Sequence, residues 1–585
     1  MAQPRTHRPS SRPRSPRGGT LDIRQLREAE TGDRATGQGA LSIAFVFPNA
    51  YGVGMSSLGY QVARRAFRDA GDVRIERAFA LNPDGTALLP NQPIRTLETD
   101  RPLGRFDVLA FSIAYEMDSL HVLQTLAAAG LPLLASQRGV GWPLVAVGGI
   151  LGHINPAPLY PFVDAFLLGR AEGLAAPWIE TLESTPRYSA DPQGRARLLE
   201  ALQALPFCHV TAGAWRAASL SPLRAFKTPD FESESQTERV FDELDRALPE
   251  GRDATLRCLA GRETWAEAFL KPLREQGSVS SRSACSFFPD GTAIPPAVSD
   301  IATPHAQLGR RVLVEIARGC PNHCTFCWMG RNSPPFEPHP ASLLLETIES
   351  ACERMDCPDV GLVASAVGAH PEIETLCEAL LARGKRVSFS SLRAEETTPA
   401  LFEALARSGQ RGLTLAPETG DIPLRRTLGK SLDDAGFFHV IENSQRAGLE
   451  DLKLYFMTGL PGETEEQADR MVAFTDQARQ ILLAFGRERG RLGQLSVNLG
   501  IYVPKPNTPL ARRECPPAGV VRARVARLAR ALAALPNVRV AAPSVPLAAA
   551  QEELAQGGFE AAAFLYEAWR AGNWRDAARR LSQDA

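Results

Sequence analysis

No apolar run in these 585 residues is long enough to cross a bilayer. The longest, such as Leu126 to Leu134, are cut short by Gly and Pro. The chain offers no transmembrane helix, and no membrane partner is expected. Net charge is equally scarce: 65 Lys and Arg stand against 66 Asp and Glu, a formal charge of −1. No global field draws such a chain toward nucleic acid or an acidic membrane, so nucleic acid is not expected as a partner. Residues 1–40 begin rich in Arg, Pro and Ser, lack the apolar stretch of a secretory signal, and read as a disordered basic tail. The expected compartment is the cytoplasm. Cysteine is sparse too: ten in the whole chain exclude a disulfide scaffold. None precedes Cys208, yet three fall between Cys320 and Cys327, and clustered thiolates in a reducing compartment usually mean metal.

What is present is the composition of a globular enzyme, 44% hydrophobic and 22% charged, at a length that suggests about two to four domains. Residues 41–185 alternate strand-like runs (Leu41 to Phe47, Val108 to Ile113, Leu144 to Val147, Ala165 to Leu168) with helical spacing at Ser57 to Ala70 and Ser119 to Ala128. That alternation predicts an α/β, doubly wound, Rossmann-like parallel sheet. Periodicity is poor over 186–307, a connecting region. From 308 to 515 six strand candidates follow: Val312 to Ile316, Val360 to Val363, Arg386 to Ser390, Gly412 to Leu415, Leu452 to Phe456 and Leu495 to Ile501. Amphipathic helices separate them, which predicts a partial (β/α)6 barrel of the TIM type. Residues 516–585, rich in Ala, Leu and Arg, read as a helical cap.

The three thiols come just after the first barrel strand, in Gly319-Cys320-Pro-Asn-His-Cys324-Thr-Phe-Cys327. Chemistry in such barrels gathers at the C-terminal strand ends. Cubane iron–sulfur clusters take one thiolate per iron, so three in one loop leave an iron open to a further ligand. A zinc site would need a fourth donor, which His323 or His339 could offer. Cys208, Cys258, Cys285, Cys352, Cys357, Cys377 and Cys515 read as structural or surface thiols.

This Cys-x-x-x-Cys-x-x-Cys loop at the head of a barrel resembles the radical S-adenosylmethionine superfamily. The wider text resembles its branch with an N-terminal cobalamin-binding-like domain: the Glu315 to Cys320 lead-in, Ser391-Leu392-Arg393, Leu413 to Gly420, Lys453 to Thr464, and Val503 to Pro509. The resemblance implies that Cys320, Cys324 and Cys327 ligate a [4Fe–4S] cluster. It implies that Phe326 packs on the adenine of S-adenosylmethionine, with the backbone near Trp328 reading its edge. Ser391, Arg393 and Glu418 would face its methionine and ribose parts, and Lys453 is a further candidate. A guanidinium suits a carboxylate, and a carboxylate suits ribose hydroxyls. A reductant such as flavodoxin or ferredoxin is the implied partner.

In the first domain, Gly52, Gly54 and Gly59 lie between a strand and a helix but lack dinucleotide-fingerprint spacing. By resemblance, Ser112 and the Gly148-Gly149 pair match positions that accommodate cobalamin and its nucleotide tail. Where modules of this kind that bind cobalt through imidazole carry Asp-x-His-x-x-Gly, this chain has Asn49, Ala50 and Tyr51. Either cobalt is held without a histidine or the module has lost the cofactor; His121 and His153 are nearby histidines of the structural kind. The implied function is cleavage of S-adenosylmethionine to a 5′-deoxyadenosyl radical that modifies an unactivated carbon, with cobalamin-dependent methyl transfer as one outcome. Radical oxidation or rearrangement without cobalamin, and a non-catalytic cluster or cobalamin sensor, are the alternatives. Methylthiolation of transfer RNA fits poorly, because a second cluster would need N-terminal cysteines and residues 1–207 contain none.

Overall fold

The computed structural model describes residues 23–87, 92–185, 191–211, 214, 295–333, 335–390, 392–558 and 560–581. Ser391, Cys258, Cys285 and most of the connecting region lie outside them.

The first sheet runs through β1 (Leu41–Phe47), β2 (Val73–Phe79), β3 (Val108–Ser112), β4 (Leu144–Gly148), β5 (Ala165–Leu167) and β6 (Cys208–Val210), in the spatial order β2-β1-β3-β4-β5-β6. All pairings are parallel except β5 with β6. Helices α1 (Leu58–Asp69), α2 (Ser119–Ala128) and α3 (Ala171–Glu183) cover it, so the strands are buried on both faces, as unbroken apolar runs require. Strand β2 shows no such run because Arg74, Glu76 and Arg77 interrupt it. Arg77 is buried between counter-charges, and buried Glu76 is met by hydroxyls on one of its two oxygens. Arg77 bonds Glu30 at 2.7 Å and Glu98 at 2.6 Å, and Glu76 accepts from Thr96 and Thr99 at 2.6 Å each. Strand β6 comes from the start of the connecting region.

The basic tail ends earlier than residue 40. Ile23–Glu28 is helical, Thr31–Gly32 pairs antiparallel with Ile301–Ala302, and Glu30 is the carboxylate that Arg77 holds. Residues 23–40 are fixed because they bring that counter-charge into the core.

The second half forms two parallel sheets. The first is β7 (Val312–Glu315), β8 (Asp359–Val363) and β9 (Arg386–Phe389). The second is β10 (Gly412–Glu418), β11 (Asp451–Thr458), β12 (Leu495–Ile501) and β13 (Val538–Ala541). Helices α4 (Ala341–Met355), α5 (Ile373–Ala382), α6 (Pro399–Arg407), α7 (Asp434–Arg446), α8 (Glu465–Arg489) and α9 (Ala518–Ala533) alternate with them. The Pro-Gly-Glu-Thr turn before α8 ends in a capping box, Thr464 with Gln467, and Gly490 closes the helix in the left-handed region at φ 69°. The C-terminal stretch is therefore not all helix: β13 adds a seventh strand beside the six expected.

Nor does the rest of that stretch simply cap the barrel. Helices α10 (Val545–Gln556), α11 (Glu560–Arg570) and α12 (Trp574–Leu581) join the core of the first domain. Leu554, Phe564, Leu565 and Trp574 share one apolar cluster with Leu120, Leu123, Phe162 and Phe166. Asn155 Nδ2 donates to Leu554 O at 3.0 Å and Gly557 O at 2.8 Å, and Trp574 Nε1 donates to Met117 O at 3.2 Å.

Candidate cluster and cofactor site

The cysteine loop leaves β7 through Ala317–Arg318, which pairs antiparallel with Glu337–Pro338. It is held at several points. Thr325 N–H donates to Leu428 O at 3.1 Å, Leu510 N–H donates to Thr325 O at 3.1 Å, and Asn322 Nδ2 donates to Glu396 Oε1 at 3.0 Å. Two glycines allow close approach: a Cβ on Gly330 would lie 2.5 Å from Asn322 O, and one on Gly429 would lie 3.1 Å from Cys324 Cα. The three thiols are free, with Cys324 buried and Cys320 and Cys327 half-buried. Burial pushes the Cys320 thiol up, and the other two cysteines add to this.

The donor set fits a cubane better than zinc. His323 Nδ1 sits 3.1 Å from Gly330 O, and among the described residues no three His, Cys, Asp or Glu side chains converge on a single ion. A cubane requires one thiolate at each of three separate irons, not convergence on one point.

Other predicted residues sit around this loop. Arg393, after β9, points Nη1 at Cys324 Sγ at 3.1 Å and Nη2 at Glu395 Oε1 at 3.3 Å. Glu418, at the end of β10, has φ 67°, rare for a residue with a side chain and typical of strained functional positions. Its carboxylate bonds Lys430 Nζ at 2.7 Å, a partner that sequence reasoning missed. Lys453 lies on β11 between the buried Leu452 and Leu454; its side chain is exposed, 4.7 Å from the Tyr455 ring. Phe326 is half-buried against Leu428, Leu460, Tyr502 and Leu510.

Trp328 turns toward the other domain. It is buried, its indole N–H has no hydrogen-bond partner, and it lines a cavity of about 470 Å³. The opposite wall carries Ser57, Ser112, Gly149 and His153, at the carboxyl ends of the first sheet. Gly149 has φ 102°, and a Cβ there would lie 2.3 Å from Ile113 O, so only glycine closes this turn. Gly148 lies beside it, lining a smaller apolar slot with Phe45, Phe67 and Leu174. Across the cavity Arg318 bonds Glu315 at 2.5 Å and Glu172 at 2.6 Å, tying the lead-in of the cysteine loop to α3. The Glu315-x-x-Arg318 pair was visible in the sequence as a motif. Glu172 was not, because only the tertiary fold brings it there.

The loop after β1 is used for packing. Asn49 Nδ2 donates to Asp118 at 2.8 Å, Tyr51 Oη donates to Glu30 at 2.7 Å, and Gly52 O accepts from Gln307 N–H at 2.8 Å. His121 Nδ1 lies 2.7 Å from Pro48 O.

An α/β protein with an open three-thiolate loop at a barrel mouth belongs to the class of iron–sulfur enzymes. Residues 59–211 match the family "Radical SAM proteins, N-terminal", and residues 314–475 match "Radical SAM superfamily". The chain belongs to the radical S-adenosylmethionine superfamily, whose members use a [4Fe–4S] cluster and S-adenosylmethionine. An uncharacterised protein of Methanocaldococcus jannaschii is 30% identical over 200 residues, 34% of this chain and 42% of that protein. The tRNA-2-methylthio-N(6)-dimethylallyladenosine synthase of Thermus thermophilus is 26% identical over 208 residues, 34% of this chain and 41% of that enzyme. The chain thus spans about two fifths of the length of these curated relatives. Among solved structures, the radical S-adenosylmethionine methyltransferase TsrM from Kitasatospora setae, with cobalamin and [4Fe–4S] cluster bound, aligns with TM-score 0.47 and 13% identity over 93% of this chain and 99% of that one. The cobalamin-dependent radical enzyme OxsB aligns with TM-score 0.42 and 11% identity over 83% of this chain and 62% of that one. No helix among the described residues is long and apolar enough to cross a membrane.

Proposed function

We propose that this protein cleaves S-adenosylmethionine reductively and methylates an unactivated carbon, with cobalamin held in the cavity between its two halves. The observation that carries the reading is that cavity. It joins the strand ends of a doubly wound domain to the residues flanking the cysteine loop, so two cofactors would sit within reach of one substrate.

Cys320, Cys324 and Cys327 would hold the cluster, which when bound supplies one electron to break a carbon–sulfur bond of the sulfonium. The chain's own residues bind and orient. Arg393 presents a guanidinium beside Cys324, suited to the methionine carboxylate. Glu418, ion-paired with Lys430, suits the ribose hydroxyls. Phe326 gives a flat apolar face for adenine, and Lys453 adds a cation to the open barrel interior. Ser112, Gly148 and Gly149 shape the floor for the corrinoid and its tail.

A second reading, radical oxidation or rearrangement without cobalamin, is favoured by one observation: Asn49 and Tyr51 are committed to the scaffold, and no histidine stands on that loop. Anaerobic incubation with reductant, S-adenosylmethionine and hydroxocobalamin separates the two. Formation of 5′-deoxyadenosine supports radical initiation, and S-adenosylhomocysteine adds methyl transfer. If neither product forms with a fully loaded cluster, both readings fail.

A further inference from the structure

His153 stands apart from the other histidines of the interior. His121 faces Pro48 O, His370 Nε2 lies 2.8 Å from His339 O, and His209 Nε2 lies 3.3 Å from Tyr160 Oη. His153 is only 6% exposed, yet its ring makes no hydrogen bond or ion pair among the described residues, and it lines the 470 Å³ cavity. It sits on the short helix Leu151–Ile154, just past the Gly149 turn that ends β4. Burial pushes its pKa down to about 4, so the ring is neutral near pH 7. A core histidine ordinarily finds a partner within the protein, because a buried polar group left unpaired is costly. Here the open side is the cavity. The charged groups on the cavity wall are Arg318, Glu315 and Glu172, which pair with one another, and Arg170 beside them.

We infer that His153 is a contact residue for the corrinoid in this cavity, its ring meeting an uncharged amide arm at the corrin edge. The inference rests on the cobalamin reading above. A neutral imidazole offers one N–H donor and one acceptor nitrogen, the complement of a primary amide. It brings no charge to attract a phosphate or carboxylate. The hydroxyls that line the cavity, Ser57, Ser112 and Ser333, are uncharged as well.

The test is a spectral titration of full-length, cluster-reconstituted protein with hydroxocobalamin, alongside H153A, H153Q and H153F. Binding is expected to weaken about tenfold in H153A. H153F, which fills the space without bonding, binds at least as weakly, and H153Q, which restores a donor and an acceptor, stays near wild type. H153F, which keeps the ring's volume, is expected to melt at or above the wild-type temperature without cobalamin, because the bare ring has no internal hydrogen bond to lose. H153A, which empties a buried site, melts lower and is compared by binding per folded protein. H153A binding as tightly as wild type overturns the inference and leaves the cobalamin reading standing. A wild-type protein that takes up no cobalamin removes both. Electron paramagnetic resonance of the cob(II)alamin form adds a second check. Nitrogen splitting on cobalt that disappears in H153A would place the ring on the metal and overturn the amide assignment.

Discussion

Two loops occupy equivalent places in this molecule, each following the first strand of a parallel sheet, and they are built for opposite purposes. The loop after β1 spends its polar atoms on the protein: Asn49 on Asp118, Tyr51 on Glu30, Gly52 on Gln307. The loop after β7 is anchored by backbone and amide bonds but, among the described residues, leaves the Cys327 thiol and the Trp328 indole N–H without internal partners, while Cys320 meets only the Asn322 backbone N–H and Cys324 only Arg393. A strand end is only an opportunity for chemistry. Donor atoms withheld from the scaffold show where it is taken up.

The largest expected effect separates the loops outright. Cys324→Ala is expected to lose the cluster, with iron falling well below the about four per chain of a cubane, and to abolish 5′-deoxyadenosine formation. Tyr51→Phe should leave both intact. Iron, acid-labile sulfide and product assays check the pair, and equal losses in the two variants would erase the distinction. Next, Arg77→Leu leaves Glu30 and Glu98 buried without their cation. A cost of roughly 3–5 kcal/mol in urea unfolding is expected, with unchanged iron per folded chain. The smallest effect belongs to Arg393→Ala: removing a charged hydrogen-bond donor should raise KM for S-adenosylmethionine by roughly 10- to 100-fold in steady-state 5′-deoxyadenosine assays. An unchanged KM would return Arg393 to the scaffold.

The elements legible in the sequence were those with a single dominant pattern. Strands β1, β3, β4 and β7 are dominated by apolar residues, and the thiol spacing singles out its loop without help from the fold. Strand β2 was hidden because its buried charges look like surface until Glu30 and Glu98 are seen beside them. Strand β13 was hidden in an Ala-rich helical context. At the site, Glu418 was readable as a motif residue, but its positive φ and its Lys430 partner were not, since both depend on how β10 and the segment after Thr427 fold back. His153 was read as structural because a sequence cannot show that a buried ring faces open space.

The packing of α10 to α12 against the first domain has a consequence for how the chain is made. Residues 41–185 leave the ribosome well before part of their apolar wall, which is supplied by Leu554, Phe564 and Trp574. Helix α2 and its neighbours must therefore stay uncovered while some 350 further residues emerge, a long exposure in which chaperone capture competes with self-association. Completion of the first domain thus waits for translation to pass Trp574.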